Sequence, residues 1–295
     1  MVDSEIERMR LGRGFIAALD QSASSTPRAL TAYGVAPSEY SSPDEMLALA
    51  HGMRSRIMTS SAFTHERILA VILFEGTMDR DIAGRGAAEH LREVKGISSF
   101  VKVDRGLADE VNGTRLMAPM PDLSDLLARA TAHGVLGTKA RSLIRLADPA
   151  GIAGVVAQQM EVARAVLDAG LVPIVEPEVD IHSPDKAHAE ELLHDALADG
   201  LSRLTTDETV ILKLTLPEVD GLYSDLVAHP RVLRVAALSG GFTRDEATAR
   251  LTRQPGMIAS FSRALTEGLR ADQTQAEFDE TLDQSIAAIY RASLT

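Results

Sequence analysis

Gly170–Val179 reads GLVPIVEPEV, and the order of its residue types decides the fold. A glycine comes first, a short apolar run follows, and two carboxylates, Glu176 and Glu178, close it. Gly170 stands where a helix ends and hands the chain to a strand, because a residue without a Cβ takes the left-handed backbone freely. Leu171–Glu176 is continuous and only weakly alternating, as parallel strands buried on both faces are.

The same unit recurs on either side. Upstream, Ile152–Ala169 is amphipathic and opens at Asp148-Pro149, with proline in the first helical turn. Before it lies the run Gly134–Lys139, GVLGTK, again led by a glycine suited to a helix end and closed by a polar residue. Downstream, Ser183-Pro184-Asp185 introduces the helical segment Lys186–Leu201, which leads to Val210–Leu214, VILKL. Further strand-like runs are Gly14–Leu19, Leu69–Phe74, Ser98–Val103, Leu233–Leu238 and Ile258–Phe261, with helical segments at Met46–Met58, Leu123–His133 and Asp245–Leu251. Ser42-Pro43-Asp44-Glu45 and Thr243-Arg-Asp-Glu246 carry capping signatures.

Eight strand candidates alternating with helices predict an α/β fold in one domain spanning residues 1–295, a (β/α)8 TIM barrel. An open doubly wound sheet is the alternative, but neither G-x-G-x-x-G nor G-x-x-x-x-G-K-[ST] follows the first run.

Composition narrows the function. The chain of 295 residues is 45% apolar and carries a net charge of −12, without a basic block. A nucleic-acid partner needs a Lys/Arg footprint that this sequence lacks. With no cysteine, disulfides, thiol catalysis and Cys-based metal sites are excluded. His182, His188 and His194 recur at six-residue spacing, which does not share a helix face, so no metal site is expected. No secretory signal is evident in MVDSEIERMRLGRG, and no stretch approaches the roughly 18–20 apolar residues of a membrane span. A cytoplasmic protein is expected.

Barrels present their chemistry at the C-terminal ends of their strands. There this chain places Asp20, Lys102, Lys139, Glu176 with Glu178, and Lys213. Burying an unpaired ammonium costs several kcal/mol, so three lysines at such positions mark a functional cluster. Lys213 is the expected nucleophile: no carboxylate adjoins it in ILKLTLP, and desolvation together with Lys139 favours the neutral amine that attacks a carbonyl. Glu176 suits proton exchange, Glu178 the orienting of a lysine, and Asp20 either a base or the holder of a hydroxyl. In LSGGFTRDE, Ser239, Gly240 and Gly241 form a turn ahead of a capped helix, an anion site over which Arg263 can close. Ser22, Ser25, Lys102 and Arg141 are candidates for a second phosphate.

The ordered segments GFIAALDQS, LFEGTMD, KVDRGL, GTKARS, LVPIVEPEV, LKLTLP, LSGGF and ASFSRAL resemble class I fructose-bisphosphate aldolase, and its bacterial branch most. The resemblance runs from about Gly12 to Ala264. It implies reversible cleavage of fructose 1,6-bisphosphate to dihydroxyacetone phosphate and glyceraldehyde 3-phosphate, through a Schiff base on Lys213 and without a cofactor. Glu176 would handle carbinolamine dehydration, Lys139 would support it, Glu178 would hold Lys213, and Asp20 would stand at the C4 hydroxyl. Ser239, Gly240, Gly241, Ser262 and Arg263 would hold the C1 phosphate; Ser22, Ser25, Lys102 and Arg141 would hold the C6 phosphate.

The chain departs from the animal pattern in three places. Asp20-Gln21-Ser22 stands where the animal enzymes have D-E-S, and Ser260-Phe261-Ser262-Arg263 where they have S-Y-G-R, so that a glycine's backbone contact falls to Ser262. No tyrosine-ended tail is evident, although Tyr290 lies close to the end. Competing readings are another Schiff-base aldolase or transaldolase, and a non-catalytic sugar-phosphate-binding barrel. Expected partners are small sugar phosphates, with a homo-oligomer allowed, and neither nucleic acid nor membrane.

Overall fold

A computed structural model of the chain describes residues 2–21 and 25–295. Eight parallel strands follow one another in sequence order around a single sheet. They are β1 (Phe15–Leu19), β2 (Ile68–Leu73), β3 (Ser98–Lys102), β4 (Gly137–Ile144), β5 (Val172–Val179), β6 (Val210–Thr215), β7 (Val232–Leu238) and β8 (Ile258–Ala259). The ring closes where Ala18 N–H donates to the Phe261 carbonyl at 3.2 Å, bringing the end of β8 against β1. The expected TIM barrel is therefore present.

Around the ring run the helices α1 (Val2–Leu11), α2 (Thr26–Tyr33), α3 (Pro43–Thr59), α4 (Leu123–Ala132), α5 (Pro149–Asp168), α6 (Lys186–Ser202), α7 (Arg244–Leu251) and α8 (Gln275–Ala292). Shorter helical turns lie between them. Three of the expected caps form: Ser42 accepts from Glu45 N–H, Asp148 from Gly151 N–H and Thr243 from Glu246 N–H. Asp185, at the start of α6, makes no such bond. Gly134 and Gly170 take φ of +69° and +76°, the left-handed turns expected ahead of β4 and β5.

Apolar residues form two cores. One lies between strands and helices; the other fills the barrel with Ile16, Ala70, Ile72, Phe100, Val172, Ile174, Ile211 and Ile258, all nearly free of solvent. Met9 of α1 belongs to this inner core and Ile6 packs against it, so α1 stoppers the N-terminal end of the barrel. Arg234 fastens the stopper by donating to the carbonyls of Met9 and Gly12, each at 3.0 Å. Sequence reading gave this segment no element, since only two of its residues face the core. The opposite end of the barrel is left to polar side chains.

The β4–β5 pair is longer than expected, running in register from Gly137↔Val172 to Ile144↔Val179. The extra length has a cause: Thr114–Arg115 pairs antiparallel with Ile144 and Leu143 and supports the upper end of β4. It carries Arg141 and Glu178 within the ladder, one layer nearer the mouth than Lys139 and Glu176. At the start of the pair, Gly137 admits no side chain. A Cβ there would stand 2.0 Å from the Val172 carbonyl oxygen and 2.6 Å from the Phe100 ring. Replacing Gly137→Ala should cost about 3 kcal/mol, the upper range for overpacking a core, read as a lower midpoint in chemical denaturation; an unchanged midpoint would disprove this account of the glycine.

Candidate active site

Strand pleat alternation decides which residues meet at the mouth, because every second side chain points into the barrel. Ile16 and Ala18 lie in the inner core, and Asp20 continues that row. Phe100 leads to Lys102, Ile174 to Glu176 and Glu178, and Ile211 to Lys213. On β4, Lys139 and Arg141 rise from Gly137 in the same way.

The deepest layer is a chain of charges. Lys139 Nζ lies 2.6 Å from Asp20 Oδ2 and 2.9 Å from Glu176 Oε2. Glu176 Oε1 in turn lies 2.9 Å from Lys213 Nζ. Asp20, Lys139, Glu176 and Lys213 are all buried. Burial alone would raise the Asp20 carboxyl, but Lys139 and Lys213, with Lys102 behind them, hold it down at about 2. Glu176 is lowered in the same manner, against burial and the nearby Asp20. Lys139 is pushed upward, its burial outweighed by Asp20, Glu176 and Asp104. Thus the carboxylate that Lys213 lacks in its sequence neighbourhood is supplied by the fold. Glu176 thus faces a lysine with each carboxylate oxygen, Oε2 toward Lys139 and Oε1 toward Lys213.

Two expected residues make contacts other than those foreseen. Glu178, expected to hold Lys213, pairs instead with Arg141, its Oε2 lying 2.5 Å from Nε. Glu176 is the carboxylate on Lys213. Lys102, expected at a phosphate, is buried and bonded to Asp104, reaching its main-chain oxygen at 2.8 Å and its carboxylate. Burial lowers Lys102, and Asp104 opposes this. Asp104 also accepts from Gly106 and Arg141 N–H groups, at 3.2 and 3.1 Å. Sequence reading missed Asp104, although its position two residues after Lys102 puts it on the same face of the run.

Toward the rim the charges of the mouth leave balance. Arg263 is lowered by burial and by the like charges of Arg28 and Arg141, with Glu178 opposing. Arg28, on α2, was also missed, because that helix was not recognised behind the first strand. Beside Arg263 the chain turns at Gly240 and Gly241, with φ of +61° and +141°. A Cβ on Gly241 would stand 3.5 Å from an Arg263 nitrogen, so guanidinium and turn share one wall. Gly241 and Phe242 N–H donate to the Ser239 carbonyl at 2.6 and 2.9 Å, and Thr243 then caps α7. Ser239 is buried and Ser262 half-buried. Ser25 occupies the N-cap position of α2; Ser22 lies outside the described residues. Tyr290 belongs to α8.

Among the described residues, no group of three or more His, Cys, Asp or Glu side chains is arranged to hold a metal ion. No helix there is long and apolar enough to cross a membrane.

A barrel with a buried lysine–carboxylate chain beneath a rim of arginines is suited to lysine–carbonyl chemistry, and comparison with known proteins gives its family. The family model for fructose-bisphosphate aldolase class-I matches residues 6–219. A fructose-bisphosphate aldolase class 1 of Synechocystis sp. is 55% identical over 291 residues, covering 99% of this chain and 97% of that protein. One from Porphyromonas gingivalis is 49% identical over 294 residues, with each protein covered fully. Among solved structures, fructose-bisphosphate aldolase from Plasmodium falciparum superposes with a TM-score of 0.77 at 19% identity, covering 99% of this chain and 93% of that one. A protein of Corynebacterium glutamicum gives 0.55 at 14% identity, covering 99% and 92%. The chain belongs to the class-I fructose-bisphosphate aldolase family.

Asp20, held low by its lysines, is expected to contribute to the acid limit of the fold. Unfolded, its carboxyl titrates near 3.8; folded, near 2. A depressed carboxyl stabilises the fold fully above pH 3.8, and the contribution of about 2 kcal/mol is lost as pH falls toward 2. Denaturation midpoints measured from pH 6 to pH 2 should fall less steeply below pH 4 for Asp20→Asn than for the unaltered chain. Equal slopes would place the acid limit elsewhere.

Proposed function

We propose that this chain cleaves fructose 1,6-bisphosphate reversibly into dihydroxyacetone phosphate and glyceraldehyde 3-phosphate, with Lys213 as the imine-forming residue. The observation that carries the residue assignment is the run Lys213–Glu176–Lys139–Asp20, with contacts of 2.9, 2.9 and 2.6 Å.

Glu176 takes a proton from the Lys213 ammonium, and the freed amine attacks C2 of the ketose. Glu176 then returns a proton to the carbinolamine oxygen, which leaves as water and gives the protonated imine. As C3–C4 breaks, its electron pair moves into the C2–C3 bond and neutralises the iminium nitrogen. The C4 hydroxyl passes its proton, along its hydrogen bond to Asp20, to a water molecule at the mouth, and the aldehyde departs. Asp20 accepts the hydrogen bond of that hydroxyl; a carboxyl held near 2 orients the proton rather than stores it. Lys139 keeps both carboxylates ionised between these steps. Protonation of the enamine at C3 and addition of water release the second triose and restore Lys213.

The arginine rim and the Ser239–Gly241 turn supply anchors for the phosphates, with Ser262 and Arg263 on the C1 side. Ser25, Lys102 and Arg141 are proposed on the C6 side, where Lys102 has to exchange Asp104 for the ligand. Arg28, whose like charge acts on Arg263, is added to the anchors. Holding both phosphates fixes the scissile bond over the cluster, a contribution of orientation. The substrates are then small sugar phosphates, and the protein works in the cytoplasm without an added cofactor.

Borohydride reduction in the presence of dihydroxyacetone phosphate, followed by peptide mapping, should place one mass adduct on Lys213. Lys213→Met should lower cleavage by about 10^4-fold or more with the fold retained; full activity would overturn the assignment. Glu176→Gln should lower kcat by roughly 10^2- to 10^4-fold, the usual worth of acid–base catalysis, and slow adduct formation in single-turnover experiments. A loss confined to KM would assign Glu176 to binding alone.

A further inference from the structure

Two of the positions that depart from the animal pattern, Gln21 and Ser262, touch. Gln21 Nε2 donates to Ser262 Oγ at 2.8 Å, joining the loop after β1 to the loop after β8. Behind Gln21 lies Arg54 of α3, which is 2% exposed. One of its terminal nitrogens donates to the Gln21 carbonyl at 2.7 Å and approaches Gln21 Oε1 at 3.5 Å. The other donates to Thr77 Oγ1 at 3.0 Å, and the guanidinium stands over the Phe74 ring at 5.5 Å. Among the described residues these acceptors are all neutral.

Hydrogen-bond polarity follows from this arrangement. A guanidinium has donors only, so the amide oxygen of Gln21 must face Arg54 and its NH2 must face Ser262. Ser262 Oγ then has to accept, and its own hydroxyl proton is directed to a different acceptor. The adjoining side chain is Arg263, at the wall shared with the Gly240–Gly241 turn.

We propose that Arg54 and Gln21 are positioning residues that fix the polarity of Ser262, so that its hydroxyl donates to the phosphate held by Arg263. Ser262 thereby adds a side-chain donor where the animal pattern has a glycine. The proposal rests on the phosphate assignment made above.

Gln21→Glu separates this role from a structural one. A carboxylate satisfies Arg54 at least as well and still bonds Ser262, but only by accepting, which draws the Ser262 proton away from the phosphate. The full chain should keep its melting temperature, while the inhibition constant of inorganic phosphate and KM for fructose 1,6-bisphosphate rise about tenfold and kcat falls less. In a Ser262→Gly background, where no hydroxyl remains, the same change should move both constants less than about twofold. Equal weakening in both backgrounds would reduce the effect to charge repulsion and overturn the relay, as would no weakening in either. Absence of a Lys213 adduct in the unaltered chain, or phosphate inhibition that does not compete with substrate, would overturn the phosphate and imine reading itself. With the adduct and competition intact, a failed cycle removes the relay alone.

Discussion

The ammonium of Lys139, buried between Asp20 and Glu176, is the interaction on which the mouth of this barrel depends. It joins β1 and β5, strands from different parts of the ring, through a side chain of β4. Each of these charges out of water costs several kcal/mol, and the cost is met only while all are present with good geometry. The same pairing determines ionisation: it keeps two carboxylates charged in a place where burial would neutralise them. Stability and chemistry are therefore not separable here. A substitution that removes one charge leaves its partners uncompensated, and this is why a loss of activity at these positions has to be read alongside a measurement of folding.

From that bridge outward the charge balance changes by layers. Asp20 and Glu176 match Lys139 and Lys213; beside them Lys102 pairs with Asp104 and, nearer solvent, Arg141 with Glu178. At the rim Arg28 and Arg263 are exposed and add positive charge to these matched layers. A chain with net charge −12 thus keeps a local excess of cations at the rim, where the proposed function seats the phosphates. The field draws such a group in without requiring a positively charged molecule.

Much of this was legible in the sequence, for a simple reason. A polar residue within or at the exit of a short apolar run is conspicuous, so Lys139, Glu176 and Lys213 were recognisable as strand-end residues before any fold was known. Their partners were not. Glu178 chose Arg141 over Lys213, and Lys102 chose Asp104, because spacing gives the face of a residue but not which neighbour across the ladder it reaches. Arg54 carried no signal at all: in MRSRIM it looks like any exposed helix arginine, and only tertiary packing buries it. The overlooked helices divide in the same way. α1 touches the core through two residues and is otherwise mostly charged, whereas α8 had a capping box at Thr274–Glu277 and the apolar series Phe278, Leu282, Ile286 and Ile289, which were readable.

The stopper helix has a further implication when the other end of the chain is considered. α1 is tied by Arg234 to the foot of β7, and Thr295 accepts from Gly256 just ahead of β8. Ser293 Oγ accepts from Ala259 N–H nearby. Both described ends of the polypeptide are therefore anchored in one sector, on the face opposite the mouth. A surface tether, a fused domain or a short splice joining the two ends would sit beneath the barrel and leave the approach of small molecules from above unobstructed.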